Sequence, residues 1–97
     1  MTRRTSLKSR GARSRRNAPL DAAWRAAVLA RDCNECQVCH GTTALLTIDP
    51  HHILSKQAHP ELRHDVSNGI SLCRYHHGWA HDYPAAFAEW LKLRATP

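Results

Sequence analysis

Four side chains that can bind a metal ion fall within nine residues near the C-terminal end of the chain. They are Cys73, His76, His77 and His81. If the segment from Arg74 onward is helical, His77 and His81 stand at positions i and i+4 on one face, from which two imidazoles reach a single ion. Cys73 and His76, at i and i+3, point to a different side. One short helix can therefore serve two metal sites, with upstream residues completing each.

The length of the chain makes a metal centre important for its stability. A chain of 97 residues forms one domain, which buries only about 60% of the surface of the unfolded chain. Small domains of this kind usually need disulfides or a structural metal. The N-terminal residues lack the apolar stretch of a signal peptide, and no segment approaches the roughly 18 apolar residues of a membrane span. We therefore expect a cytoplasmic protein with no membrane partner, whose thiols are free to bind zinc.

The upstream cysteines supply ligands for one of the two sites. Residues 33–39 contain two overlapping pairs with the C-x2-C spacing. A C-x2-C turn presents two thiolates to one zinc ion and needs a second pair of ligands to close a tetrahedron. Cys73 and His76 have the matching spacing. The simplest structural zinc site therefore consists of Cys36, Cys39, Cys73 and His76. The alternative set has Cys33 in place of His76.

Two adjacent histidines, His51 and His52, follow a short β-prone segment at residues 45–49. Neighbouring side chains on an extended segment point to opposite faces, so these two imidazoles should not bind the same ion. One can face a metal while the other faces a substrate, which suits hydrolysis, because a neutral imidazole with a pKa of about 6.5 is an effective base at neutral pH. The alternative is a pair of surface histidines on an edge strand.

Residues 1–18 carry all of the net positive charge. They hold seven basic residues and no acidic residue, a charge of +7, whereas the remainder of the chain sums to −1. The seven are Arg3, Arg4, Lys8, Arg10, Arg13, Arg15 and Arg16. With so few apolar groups, this segment is predicted to be a disordered basic arm that binds nucleic acid by displacing counterions from the phosphate backbone. A solubilising tail with no partner is the alternative.

The remaining pattern predicts an α+β domain at residues 19–97. Pro19 and Asp21 indicate the start of an amphipathic helix at residues 22–31, with Asp21 as its N-cap and Trp24 in the core. The other expected elements are a loop at 55–67, a strand at 69–72, and helices at 74–81 and 84–94.

Taken in order, these pieces resemble the HNH nucleases over roughly residues 31–82. The pieces are the C-x2-C pair, His-His-Ile at 51–53, Asn-Gly-Ile-Ser-Leu-Cys at 68–73 and the histidines that follow. The resemblance implies a small ββα-metal (His-Me finger) core stapled by a structural zinc, with flanking N- and C-terminal helices. A free-standing member this small also resembles those of bacteriophages and prophages. That similarity implies the cytoplasm of a bacterial host and partners in DNA packaging or recombination.

The resemblance also implies a role for each histidine of the second site. His52 takes the place of the general base that activates water, and Asn68 that of the residue that orients the loop carrying this base. His51 takes the place of a ligand of the catalytic divalent cation. His77 matches the last letter of the family name, and with His81 it completes a three-histidine metal site.

At the zinc site the resemblance is close but incomplete. Cys36, Cys39 and Cys73 match the zinc ligands of the family, whereas His76 stands where most zinc-bearing members have a fourth cysteine. Cys33 has no counterpart.

We therefore expect a metal-dependent endonuclease that cleaves DNA by nicking or with low sequence specificity. The imidazole-rich site favours Zn²⁺, Ni²⁺, Co²⁺ or Mn²⁺ over Mg²⁺, which prefers oxygen ligands. Lys56, Arg63 and Arg74 lie near the site in the sequence and can hold flanking phosphates. The alternatives are a non-catalytic, zinc-stapled DNA-binding or adaptor module and an enzyme that cleaves RNA.

Overall fold

The computed structural model describes the backbone of residues 2–95 and the side chains of residues 15–94. In that part of the chain, three α-helices pack with a two-stranded antiparallel sheet, which confirms the α+β class. The elements are α1 (Thr2–Arg31), β1 (Ile48–His52), β2 (Gly69–Cys73), α2 (Arg74–Asp82) and α3 (Pro84–Ala95). Two short 3₁₀ helices, Pro60–Leu62 and Val66–Asn68, lie in the loop between the strands. Among these residues, no helix combines the length and the apolarity that crossing a bilayer requires.

The sheet places the two adjacent histidines against different helices. His51 pairs with Ile70 and His52 pairs with Gly69 in the antiparallel register. All five residues of β2 are buried, because α1, β1 and α2 all pack against this strand. Side chains alternate along a strand, so His51 points toward α2 and His52 points toward Trp24 of α1.

A buried polar network fixes the C-terminal end of α1 to β2. The carboxylate of Asp32 accepts the N–H of Ser71 at 2.9 Å and two hydrogen bonds from Arg31 at 2.8 and 2.9 Å. Arg31 also donates to the carbonyl groups of Val66 and Gly69. Burial raises the pKa of Asp32, but the hydrogen bonds from Arg31 and Ser71 outweigh it and lower the pKa overall. The carboxylate therefore stays ionised and holds α1 in place beside the sheet.

α1 begins far upstream of position 22, so the predicted start of this helix is wrong. The helix continues through Pro19, and Asp21 lies in its interior and is not an N-cap. The local start signal is overridden by a tertiary contact, because the Asp21 carboxylate binds the guanidinium group of Arg63. Residues 2–18 of the predicted arm (1–18) are part of the same helix, so the predicted boundary falls inside α1. Disorder of the arm away from nucleic acid stays a prediction.

The other elements agree with the sequence, with one shift. α2, α3 and β2 each lie within one residue of their predicted bounds. β1 begins at Ile48 instead of residue 45, because a turn takes up the residues before it. In this turn the N–H groups of Leu45 and Leu46 donate to the carbonyl of Thr42 at 3.1 and 2.9 Å.

Candidate functional site

One cluster of metal ligands joins the loop after α1 to the start of α2. It consists of Cys36, Cys39, Cys73 and His76, whose ligand atoms all lie within 4.8 Å of one another. The Sγ atoms of Cys39 and Cys73 are 3.9 Å apart, and Nδ1 of His76 lies 3.7 Å from Sγ of Cys36 and 3.2 Å from Sγ of Cys73. A tetrahedral zinc with bonds of about 2.3 Å to sulfur and about 2.0 Å to nitrogen has edges of about 3.5–3.8 Å. The four residues can therefore hold a metal ion, and their arrangement is consistent with a structural zinc.

Local backbone geometry brings these ligands together. The N–H of Cys36 donates to the carbonyl of Gly41 at 2.8 Å, and the N–H of His40 donates back to Cys36 at 2.8 Å, which closes the C-x2-C loop. Cys73 ends β2 and is the N-cap of α2, where its sulfur accepts the N–H of His76. Burial raises the pKa of the Cys36 thiol, but neighbouring backbone N–H groups outweigh it and lower the pKa overall. A lowered pKa favours the thiolate, which is the form that binds zinc.

Cys33 lies outside this cluster. Its side chain is exposed, and a φ of 57° places its backbone in the left-handed region, as does the φ of 54° at Asn34. These two residues turn the chain from the end of α1 into the loop that carries the C-x2-C pair. The structure therefore groups His76, and not Cys33, with the other three ligands.

A second cluster consists of His51, His77 and His81, each with a ring nitrogen within 4.8 Å of the others. His51 comes from β1, and the other two lie one turn apart on α2, as their spacing predicts. Burial, followed by the charge of the neighbouring histidines, lowers the pKa of His51 to about 4. Burial also lowers the pKa of His77. These two imidazoles are therefore neutral at pH 7 and keep a lone pair for a cation.

An acidic side chain supports one of these histidines. The carboxylate of Asp49 lies 3.7 Å from Nδ1 of His77 and 3.2 Å from Nε of Arg74. A carboxylate beside the outer nitrogen of a metal-binding imidazole orients the ring. Asp49 therefore engages Arg74 through Nε, and a phosphate contact of Arg74 stays a prediction.

His52 stands apart from the three-histidine cluster and is held from two directions. Its Nε2 lies 2.9 Å from the carbonyl oxygen of Arg63. A carbonyl oxygen only accepts hydrogen bonds, so Nε2 carries the hydrogen and Nδ1 is the basic nitrogen of the neutral ring. The indole of Trp24 stacks on the imidazole, with 3.9 Å between ring centroids and 3° between planes. The tautomer and the orientation of His52 are therefore both fixed.

Asn68 ties the loop after β1 to the start of β2. Its Oδ1 accepts the N–H of Leu54 at 2.8 Å, and its Nδ2 donates to the carbonyl of Leu54 at 3.1 Å. Its own carbonyl accepts the N–H of Ile53 at 2.9 Å. These three hydrogen bonds hold the two residues that directly follow His52, which agrees with the orienting role that the resemblance implies for Asn68.

His52 and the three-histidine cluster line the same cleft, which has a volume of about 740 Å³. We call it the metal cleft. Lys56 lies on its border, and α3 contributes an apolar wall that includes Phe87 and Leu91. The cleft thus places a set of cation ligands beside a separate imidazole whose Nδ1 is the nitrogen left to accept a proton. Such an arrangement can bind a cation and remove a proton from water, which is the chemistry of hydrolysis.

Trp24 makes a contact in the candidate site that the sequence did not predict. Its position on an apolar stripe predicted a core residue, and it is indeed only 4% exposed. The stripe carries no signal that the buried ring touches His52, because that contact joins residues far apart in the chain. Gly69, the strand partner of His52, makes the approach possible. A Cβ there would lie 2.7 Å from the indole and 2.5 Å from Val28.

Replacing Trp24 should release His52 from its fixed orientation. Trp24→Phe keeps a stacking ring but loses the hydrogen bond from the indole N–H to the carbonyl of Asp65, now 2.8 Å long, at a cost of about 1 kcal/mol. Trp24→Leu also removes the ring, and the upfield ring-current shift of the His52 C–H protons disappears. The measurement is the proton NMR spectrum of both variants together with urea unfolding. Unchanged His52 shifts in Trp24→Leu would contradict the stack.

The predicted nucleic-acid contacts of the arm are described only in part. Arg15 and Arg16 are exposed on α1. The other five, Arg3, Arg4, Lys8, Arg10 and Arg13, have side chains outside the described residues.

No family profile, curated protein or solved structure matches this chain.

Proposed function

We propose that this protein is a metal-dependent endonuclease of the HNH type, which hydrolyses phosphodiester bonds in DNA. The observation that carries the proposal is the position of His52 in the metal cleft: beside the three-histidine cluster, outside it, and with Nδ1 as its basic nitrogen. The succession of β1, β2 and α2 supports a ββα-metal core. Arg15 and Arg16, which are exposed on α1, support a polyanionic substrate.

The chain's own residues divide the reaction between them. Nδ1 of His52 accepts a proton from water while the Arg63 carbonyl holds Nε2–H and keeps the ring from turning. The resulting hydroxide attacks phosphorus and the bond to the 3′ oxygen breaks; the departing oxygen takes a proton from solvent water, which leaves a 5′-phosphate and a 3′-hydroxyl. His51, His77 and His81 would hold a divalent cation, which would stabilise the negative charge on the phosphate and on the departing oxygen. The three imidazoles of the cluster suit Zn²⁺, Ni²⁺, Co²⁺ or Mn²⁺ better than Mg²⁺, which prefers oxygen ligands.

Plasmid nicking under controlled metal tests the proposal. After loosely bound metal is removed, adding back Mn²⁺, Ni²⁺, Co²⁺ or Zn²⁺ should restore conversion of supercoiled plasmid to the nicked form. His77→Ala should lower the affinity of the metal cleft for the cation by more than about 100-fold, since even second-shell changes cost 10–100-fold. Cleavage should fall in parallel. Calorimetric titration of the cation and gel analysis of the plasmid measure the two effects.

The matched control is His59→Ala, which removes an imidazole that lies outside both clusters and pairs with Glu61. It should bind the cation and cleave like the wild-type protein. If no cation restores cleavage while the plasmid is still bound, the site is non-catalytic and the chain is a zinc-stapled DNA-binding module. RNA and DNA of equal length, assayed side by side, decide which polymer is cleaved.

A further inference from the structure

We propose that a second cleft, next to the metal cleft, binds a backbone phosphate that flanks the phosphate to be cleaved. This flanking cleft is lined by Asn17, Lys56, Gln57, Pro60, Arg63 and His64, and its volume is about 710 Å³. The inference rests on the proposed function, because only a nuclease has a phosphate to cleave. Binding at the flanking cleft can nevertheless be measured without any cleavage.

The two clefts share a side chain and a segment of backbone. Lys56 lines both of them. Arg63 lines the flanking cleft with its side chain, while its carbonyl oxygen binds His52 at the edge of the metal cleft. A strand whose scissile phosphate sits in the metal cleft therefore has its next phosphates beside Lys56 and Arg63.

Asp21 orients the cationic groups of the flanking cleft. It accepts hydrogen bonds from Nε and Nη2 of Arg63 at 2.9 and 2.8 Å, and from Nε2 of His64 at 2.7 Å. The hydrogen bond from Arg63 is the main reason that the pKa of Asp21 is strongly lowered, so this carboxylate stays ionised. Asp21 itself is not among the residues that line the cleft. It thus stands beside the guanidinium group and fixes the orientation of that group.

One edge of that guanidinium group is left for a ligand. Among the described residues, Nη1 of Arg63 has no hydrogen-bond partner, whereas Nε and Nη2 are both used by Asp21. A guanidinium group whose orientation is already fixed loses less side-chain entropy when it binds a phosphate. Lys56 adds a second cation, so the group of Asp21, Lys56 and Arg63 carries a net charge of +1 at pH 7.

The flanking cleft lies where the basic arm joins the folded domain. Asn17 lines the cleft and directly follows the exposed Arg15 and Arg16 on α1. The basic arm therefore reaches the folded domain at this cleft. A line of positive charge runs from Arg15 and Arg16 through the flanking cleft and Lys56 into the metal cleft, and a sugar–phosphate backbone is the polyanion that fits such a line.

Three variants with the same change in net charge test the site. Lys56→Gln removes a cation from the flanking cleft, Gln57→Glu adds an anion to it, and Lys92→Gln removes a cation from α3, which does not line it. Binding of a fluorescent DNA duplex to the full-length, zinc-loaded chain is followed by anisotropy over a salt series, without added divalent cation. Each phosphate contact contributes about 0.9 to the slope of log K against log[salt].

We expect Lys56→Gln to reduce the slope by about 0.9 and to weaken binding equally for unrelated sequences. Gln57→Glu should also weaken binding, whereas Lys92→Gln should keep the wild-type slope. If all three variants behave alike, only net charge matters and the flanking cleft is not a site. If Lys56→Gln weakens binding more than Lys92→Gln does but no nucleic acid is cleaved, the nuclease proposal is wrong. The flanking cleft is then still a phosphate-binding site.

Discussion

His52→Ala should lose cleavage activity by about 10²–10⁴-fold, the usual contribution of a general base, while it keeps its metals and its fold. The reason is that His52 lies outside both metal clusters, so its removal takes away no ligand. It is also only partly buried, so its loss leaves no large cavity in the core. Rates of plasmid nicking at saturating cation, with metal content and circular dichroism of the same samples, measure the three quantities.

A second substitution separates proton transfer from positioning. His52→Gln keeps an N–H group that can donate to the Arg63 carbonyl, as Nε2 does now at 2.9 Å, but it offers no basic nitrogen. If His52 is the base, His52→Gln should be as inactive as His52→Ala. Recovery of activity in the glutamine variant would mean that His52 only holds the loop in place. A well-folded and active His52→Ala would remove His52 from the mechanism.

The sequence was sufficient to predict most of the ligand geometry, because the spacings are local. His77 and His81 are one helical turn apart, and a helix puts such residues on one face whatever surrounds it. Cys73 and His76 likewise stand on the first turn of α2. The matching spacings of two ligand pairs also grouped Cys36 with Cys73. Grouping His51 with His77 and His81 required the family order of the motifs, since no rule of local structure relates positions so far apart in the chain. The structure brings both sets together.

The wrong start of α1 and the unpredicted contact of His52 both depend on tertiary contacts of α1. Pro19 and Asp21 are typical of the start of a helix. In the structure the helix continues through both residues, and the carboxylate of Asp21 accepts a hydrogen bond from Arg63. The stack of Trp24 on His52 also joins α1 to a distant segment. Hydrophobic periodicity shows which face of a helix is buried but not which side chain it meets there. The contribution of α1 to the site therefore becomes visible only in three dimensions.

The stability of this fold should depend on the metal bound by the first cluster. A two-stranded sheet and three helices bury few large side chains. In residues 15–94, the largest side chains that are completely buried are Ile70, Leu72, Val28, Cys36 and Ser71. Domains of this type have total stabilities of about 5–15 kcal/mol, whereas structural zinc sites contribute about 10–16 kcal/mol. The metal contribution is thus as large as the whole stability. Removing the ion, or one of its ligands, should unfold the protein.

Cys36→Ala is the substitution that should show this most clearly. Cys36 is completely buried and links the C-x2-C loop to the core, so its loss removes a ligand and leaves a cavity at the same point. We expect the variant to lack the cooperative unfolding transition of the wild-type protein and to retain less than one equivalent of tightly bound zinc. Circular dichroism during urea unfolding and zinc analysis after gel filtration measure these two properties.

Cys33→Ala is the matched control, because it removes a thiol that is exposed and outside the cluster. Its stability should stay within about 0.5 kcal/mol of the wild-type value, as is usual for surface substitutions, and its zinc content should not change. Prolonged chelation of the wild-type chain should reproduce the Cys36→Ala result, because Cys39 is exposed and gives a chelator access to the ion. A Cys36→Ala protein that unfolds cooperatively and keeps a full equivalent of zinc would mean that the cluster does not hold the fold together.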